Sequence, residues 1–430
     1  MNASNDGTGM RSGNILAIAS ILAVLGPAVR AAQETAPRVM GWKDCVLLAA
    51  QENPELLSAR RAVEAARSRR LVSFNGLLPS LSLSKRLTDS KSASGDSRWQ
   101  ADGTASLDLL SMGNYARLSG ADAAVSRAEA DLRLQSADLR LALRKAFTEL
   151  LFAQEVVAVS NKIREIRRQN SDLVSLKYDS GRESKGNMLR AKAESADAQA
   201  ALSAALRSLR ASQAELGRQI GLDAFSPLQT AGGMDPGPMP PSWDPAALAA
   251  RHPLAAQREA AVAAARAGLR ESKSGLWPTL SASYSKSFRG RSYFPPEPSW
   301  SAAGVLSLPL FGGGPTALSH GISAAGRDLE RSEQGLRAAR AQVQSALEAA
   351  WAGLAQSLDQ LKVRELFLEA ALQRNEEASV RYSSGLMTFE NWELVVADLV
   401  DSERGVVRSR RDAMLAEAQW DRAAGLSLEE

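Results

Sequence analysis

The sequence predicts a mainly α-helical protein with a minority of membrane β-structure, arranged as two structural repeats. Three observations predict this. Four short stretches alternate apolar and polar residues, two very long stretches carry an apolar residue at every seventh position, and almost every motif occurs twice, about 200 positions apart.

The N-terminus comes first. Arg11 precedes the apolar run "ILAIASILAVL" (15–25), Pro27 breaks it, and "VRA" (29–31) offers small residues for cleavage. This is the layout of a secretory signal over 1–31. A buried helix is the other reading of the run. At about 11 residues it is too short to span a bilayer, which takes roughly 20. The mature chain is therefore expected to be exported without a helical membrane span.

The repeats follow. "ENPELLSARRAVEAARSRR" (52–70) pairs with "RHPLAAQREAAVAAARAGL" (251–269), and Pro79 pairs with Pro278 at the same offset of 199. "KYDSG" (177–181) pairs with "RYSSG" (381–385) at an offset of 204, as does "RQIGL" (218–222) with "RAAGL" (422–426). Repeat 1 spans 32–231, a Pro- and Gly-rich linker 232–245, and repeat 2 spans 246–430, with about five residues inserted after Gly312.

Each repeat opens with a helix of roughly 33 residues, 43–75 and 244–275. Two strands come next, 77–88 with 98–110 and 278–289 with 299–310. In the first pair, Leu81, Leu83 and Leu87 oppose Ser82, Ser84 and Arg86. Gln100, Asp102, Thr104, Ser106 and Asp108 lie opposite Ala101, Gly103, Ala105, Leu107 and Leu109. In the second pair, Ser281, Ser283 and Ser285 oppose Leu280, Ala282 and Tyr284; in that stretch Lys286 alone breaks the apolar side. Period two means a strand with one wet and one dry side. About ten residues suffice to cross a bilayer, and Trp99, Trp277 and Trp300 lie at strand ends, where aromatic girdles sit. A small soluble sheet packed on helices is the competing reading of any one strand. Four strands per chain cannot close a barrel, so several chains must share one, with its polar face toward a water-filled lumen.

Long helices follow over 114–178 and 316–382. Leu118, Val125, Leu132, Leu139 and Ala146 step by seven, as do Ile322, Leu329, Leu336, Val343 and Ala350, which predicts coiled-coil packing. A turn at the Y-x-S-G motif leads to a shorter helix, 187–221 and 387–424.

The chemistry of enzymes is missing from the pattern. Cys45 is the single cysteine and reads as packing, which leaves no intrachain disulfide. His252 and His320 have no neighbour at metal-ligand spacing. "GRESKGN" (181–187) lacks the Lys-Ser/Thr of a phosphate loop. The net charge of +4 on 430 residues is small and not concentrated, so nucleic acid is not expected, and with no binding motif found no cofactor is expected either.

"GWKDCVLLAAQENPELLSARRAVEAARS" (41–68), "GLLPSLSLS" (76–84) with "GLWPTLSAS" (275–283), "LPLFGGG" (308–314) and "RYSSGLMTFENWELVVADLVDSE" (381–403) together resemble the TolC-type outer membrane efflux proteins, over nearly the whole mature chain. The resemblance implies a homotrimer: a 12-stranded β-barrel in outer membrane lipid, continued by an α-helical barrel across the periplasm. It implies a passive exit duct for efflux or type I secretion, docked on a periplasmic adaptor and an inner membrane transporter. It places Tyr178, Ser180, Gly181, Tyr382, Ser384 and Gly385 at the periplasmic tip, where they are adaptor contacts, plain structural turns, or both. It places a pore constriction at Asn187, Glu390 and Asn391. Family members often carry acidic residues here; Asn391 and Leu394 stand in their places, which undercuts a cation-selective carboxylate ring. The barrel lumen would be lined by Gln100, Asp102, Thr104, Ser106, Asp108, Ser281, Ser283 and Ser285. An exported coiled-coil scaffold or adhesin without a pore is the alternative, separated from the duct by the four alternating strands.

Overall fold

The computed structural model describes residues 38–89, 98–239, 242–309 and 314–429. The signal segment, the tip of the first hairpin, two linker prolines and Leu310 with the following "FGG" lie outside them. Among the described residues no helix is long and apolar enough to cross a membrane.

In chain order the elements are β1 (Arg38–Met40), α1 (Trp42–Glu52), α2 (Pro54–Ser73), β2 (Ser80–Thr88), β3 (Arg98–Leu110), α3 (Met112–Asp179) and α4 (Lys185–Ile220). There follow β4 (Leu228–Thr230), α5 (Pro245–Arg251), α6 (Pro253–Ser274), β5 (Thr279–Gly290), β6 (Glu297–Ser307), α7 (Pro315–Ser383) and α8 (Phe389–Ala423).

The opening helix of each repeat, read as continuous from the sequence, is two helices. Pro54 and Pro253 each start a new helix, where a missing N–H costs nothing. The residue before each is the cap. Asn53 Oδ1 accepts from the N–H groups of Glu55 (2.9 Å) and Leu56 (3.0 Å), and His252 Nδ1 accepts from Leu254 N–H at 3.1 Å. Each break receives a glycine from the end of its own repeat. A Cβ on Gly221 would collide with the Glu52 carbonyl, and one on Gly425 would lie 2.9 Å from His252 and Pro253. Both glycines have positive φ, +88° and +79°.

The first strand begins at Ser80 because residues 74–77 form a 3₁₀ turn; the fourth ends at Ser307, ahead of Pro309. The four long strands form one antiparallel sheet in the order β2–β3–β5–β6, so the two hairpins join through β3 and β5. The short β1 and β4 pair in parallel in a separate sheet.

α3 is the axis of the helical part. It packs on α2 and α4 of its own repeat and on α6 and α8 of the other. α7 packs on α5, α6 and α8. The seven-residue step is present, but in the first half of α3 the buried ladder is Ala116, Ala123, Ala130 and Ala137, while Leu118, Val125 and Leu132 are only half-buried. Alanine lets neighbouring helices approach closely. The main core gathers Cys45, Leu56, Leu143, Phe147, Leu150, Ile220 and Leu228 where α1, α2, α3, α4 and β4 meet. Cys45 is fully buried there, and burial pushes its thiol up to about 11.

Candidate functional site

Two places collect the residues singled out from the sequence: the turns between long and short helices, and the polar side of the four-stranded sheet. A helix of 68 residues separates them, about 100 Å at 1.5 Å per residue.

The two turns are built alike. At the end of α3 the chain reverses at Gly181, φ +73°, with Arg182 N–H donating to Lys177 O at 2.8 Å and Gly181 N–H to Tyr178 O at 2.9 Å. At the end of α7 it reverses at Gly385, φ +79°, with Leu386 N–H donating to Arg381 O at 2.8 Å and Gly385 N–H to Tyr382 O at 3.1 Å. Space is open around both glycines, so the left-handed backbone is what requires them. The helices that follow are capped alike too: Ser184 Oγ accepts from Asn187 N–H (3.1 Å) and Thr388 Oγ1 from Asn391 N–H (3.4 Å).

The tyrosines are where the turns differ. Tyr178 is half-buried, whereas Tyr382 is 1% exposed. Tyr382 stacks on Trp392, centroids 4.2 Å apart, meets Phe389 edge-on, and lies under the Lys177 ammonium at 3.8 Å. Lys177 Nζ also donates to the Tyr382 carbonyl. Tyr382 Oη donates to Glu183 Oε2 at 3.0 Å. Asn187 Nδ2 then donates to Glu183 Oε1 (2.9 Å) and to Glu390 Oε1 (3.3 Å). One polar chain, Tyr382–Glu183–Asn187–Glu390, thus ties the turn of repeat 2 to that of repeat 1. Burial would raise the Glu183 carboxyl, but donations from Asn187, the Ser184 N–H and Tyr382 outweigh it and hold the group below the usual range. Burial, with Glu183 beside it, raises the Tyr382 phenol. Ser180, Ser384, Gly181, Gly385 and Asn391 are exposed; Tyr382 is inside, so its part is to hold the turns together.

A second ionic group lies deeper. Arg167 of α3 donates to Glu393 of α8 at 2.6 Å and to Glu194 of α4 at 2.8 Å. Glu393, which follows the exposed Glu390 on α8, is buried in this junction. Burial outweighs Arg167 and raises its carboxyl to about 7. Arg167, Glu194 and the acceptor role of Glu183 were missed in the sequence. Arg167 reaches partners 27 and 226 residues away and Glu183 accepts from Tyr382 199 residues on, beyond any helical spacing.

In the sheet, register puts all eight expected lining residues on one side. Asp108 faces Ser281, Ser106 faces Ser283 and Thr104 faces Ser285; Gln100 and Asp102 continue the rows toward Arg289 and Ser287. Their hydroxyls bond across strands, as in Ser80 with Ser106 (2.7 Å) and Ser287 Oγ donating to Asp102 Oδ1 (2.6 Å). The other side carries Leu81, Leu83, Ala105, Leu107, Tyr284, Trp300 and Leu306. β2 and β6 are edge strands among the described residues. No group of His, Cys, Asp and Glu among them is arranged to hold a metal ion.

Residues 46–222 match the family described as outer membrane efflux protein. No curated protein matches the chain in sequence. Solved structures share its fold. The outer-membrane channel OprN is similar at a TM-score of 0.77 and 18% identity, with 90% of each chain covered. CusC is similar at 0.80 and 14%, covering 89% of this chain and 91% of its own. VceC of Vibrio cholerae is similar at 0.76 and 16%, covering 89% and 95%. At such identities the likeness is one of fold, and it runs over about nine-tenths of the chain. Residues 46–222 thus carry the likeness to the outer membrane efflux protein family, and the chain as a whole has the fold of these solved structures.

Proposed function

We propose that three copies of this chain close one channel: a barrel of pooled strands in the outer membrane, continued by a tunnel of helices into the periplasm. As an outer membrane efflux protein the chain is a duct, not a catalyst, located in the outer membrane and reaching into the periplasm. The observation that carries the trimer is the sheet. Four strands of 9 to 13 residues have one polar side, one apolar side and two open edges. Lipid tolerates no open edge, and about eight strands are the least that close usefully. Three such sheets give twelve strands. The polar side, with Gln100, Asp102, Thr104, Ser106, Asp108, Ser281, Ser283 and Ser285, then lines the lumen.

The turns are the periplasmic end in this reading, set a helix length from the membrane. Ser180, Gly181, Ser384 and Gly385 face an adaptor there, with Tyr178 and Tyr382 behind them. Asn187, Glu390 and Asn391 form the narrowing. An inner membrane pump delivers cargo through the adaptor.

The test is purification from outer membranes, native mass spectrometry and single-channel recording in a planar bilayer. A trimer with discrete conductance is expected. A water-soluble monomer that does not enter lipid overturns the proposal and returns the chain to a poreless exported scaffold.

A further inference from the structure

Within the four strands, the apolar side of the sheet carries two charged residues, Lys85 and Lys286, and no carboxylate. Both lie toward the strand ends remote from the helices: β2 ends at Thr88 and β5 at Gly290. Lys85 Nζ sits among three rings, 3.0 Å from the centroid of Tyr293, 5.0 Å from Phe294 and 5.1 Å from Trp99. Lys286 pairs with Trp300 across the strands, and its Nζ is 5.5 Å from the Phe288 ring. Among the described residues no carboxylate bonds either ammonium.

Resting on the reading that this side meets lipid, we infer that Lys85 and Lys286 bind the phosphate groups of an outer-leaflet lipid. An ammonium facing hydrocarbon without a counter-ion is unfavourable and reaches along its flexible stem toward the headgroups. Aromatic rings clustered at a strand end mark that level. Rings satisfy a cation on one flank but carry no net charge, so the ammonium's remaining donors and its charge still call for an anion. Phosphate oxygens are the anions at that depth. The two lysines are two strands and two residues apart, a separation of about 12 Å from strand spacing and rise, which suits a lipid bearing two phosphates.

The test uses the purified full-length protein in detergent, probed by native mass spectrometry with diphosphoryl lipid A and with its fully dephosphorylated form. The parent is expected to retain the phosphorylated lipid at least tenfold over the other. Lys85→Gln with Lys286→Gln should bring the ratio to within twofold, and the paired Lys→Arg variant should restore it. Equal retention of both lipids by the parent, or an unchanged ratio in the Gln variant, overturns the inference. So does full competition by millimolar inorganic phosphate, which would mark a soluble-anion site. The underlying facing is tested separately. Leu83→Cys, labelled with bimane while Cys45 stays buried, should be quenched by lipids with brominated acyl chains. No quenching means that the facing is wrong; quenching without phosphate preference sinks the lysine site alone.

Discussion

α3 and α7 are written to one plan and used differently. Both follow a hairpin, both run nearly 70 residues, and both end in a Y-x-S-G turn. α3 is enclosed by α2, α4, α6 and α8, and in its middle Leu139, Leu143, Phe147, Leu150 and Leu151 are all buried. α7 buries one ladder, Leu347, Leu354 and Leu361, and leaves Leu366 (66%) and Phe367 (60%) exposed. The two helices are alike in length and ending; packing makes one the interior of the protomer and the other its flank. In the proposed trimer the exposed flank of α7 is the seam between copies.

That contrast breaks most readily in the seam itself. Leu354→Ala removes a fully buried side chain and should cost about 2–5 kcal/mol in thermal unfolding followed by circular dichroism. Leu366→Ala should leave protomer unfolding within about 0.5 kcal/mol yet lower the yield of oligomer resistant to detergent. Equal effects on both measures would end the distinction between core and flank.

The sheet offers the same contrast between its two sides. Leu107→Arg places a charge on the proposed lipid side and should cost about 2–4 kcal/mol, read as loss of assembled protein in the membrane fraction. Ser106→Arg, one residue away on the polar side, should assemble like the parent. Reversed outcomes would invert the facing of the whole sheet.

The turns sharpen the comparison further. Tyr382→Phe deletes the bond to Glu183 and should loosen both turns by about 1–3 kcal/mol, seen as faster amide exchange from residues 177–187 and 381–391. Tyr178→Phe, in the equivalent place, should change nothing measurable. The smallest effect is a pH dependence. With its carboxyl raised to about 7, Glu393 holds a proton in the folded tip that it loses in the unfolded chain above the ordinary carboxylate range. Its contribution to stability is full in acid and is lost as pH rises through about 7, so the tip should open more readily at pH 8 than at pH 5. Glu393→Gln should flatten that dependence, once exchange rates are corrected for their intrinsic response to pH.

Much of this was legible because it is periodic or repeated. Alternation of Leu and Ser marks a strand with two unlike sides, and Gly181 and Gly385 mark reversals because a left-handed residue is needed there. The side that Asp102 shares with Ser287 follows from the same alternation, whereas their pairing in register is seen only in the structure. Other features carry no period. Asn53-Pro54 and His252-Pro253 interrupt their helices while keeping the helical composition on both sides, so only the capping side chain distinguishes a new start from a continuation. β1 and β4, three residues each, are too short to show alternation. The alanine ladder of α3 shares the seven-residue step of the leucines beside it, so the period alone does not say which of the two is buried. Arg167 with Glu194 and Glu393 joins three helices from both repeats, and nothing local announces such a meeting.

The interleaving of α3 with α6 and α8, together with the β3–β5 ladder, bears on how such a molecule is made. Neither half owns a complete interior. A ribosome that has finished only the first repeat has produced an unfinished surface waiting for its counterpart. Two polypeptides severed within 232–245 and produced in the same cell are expected to find one another and stand as one subunit, whereas either produced by itself is expected to be cleared by proteases. The two halves are thus expected to behave as one object, neither of them separable from the other.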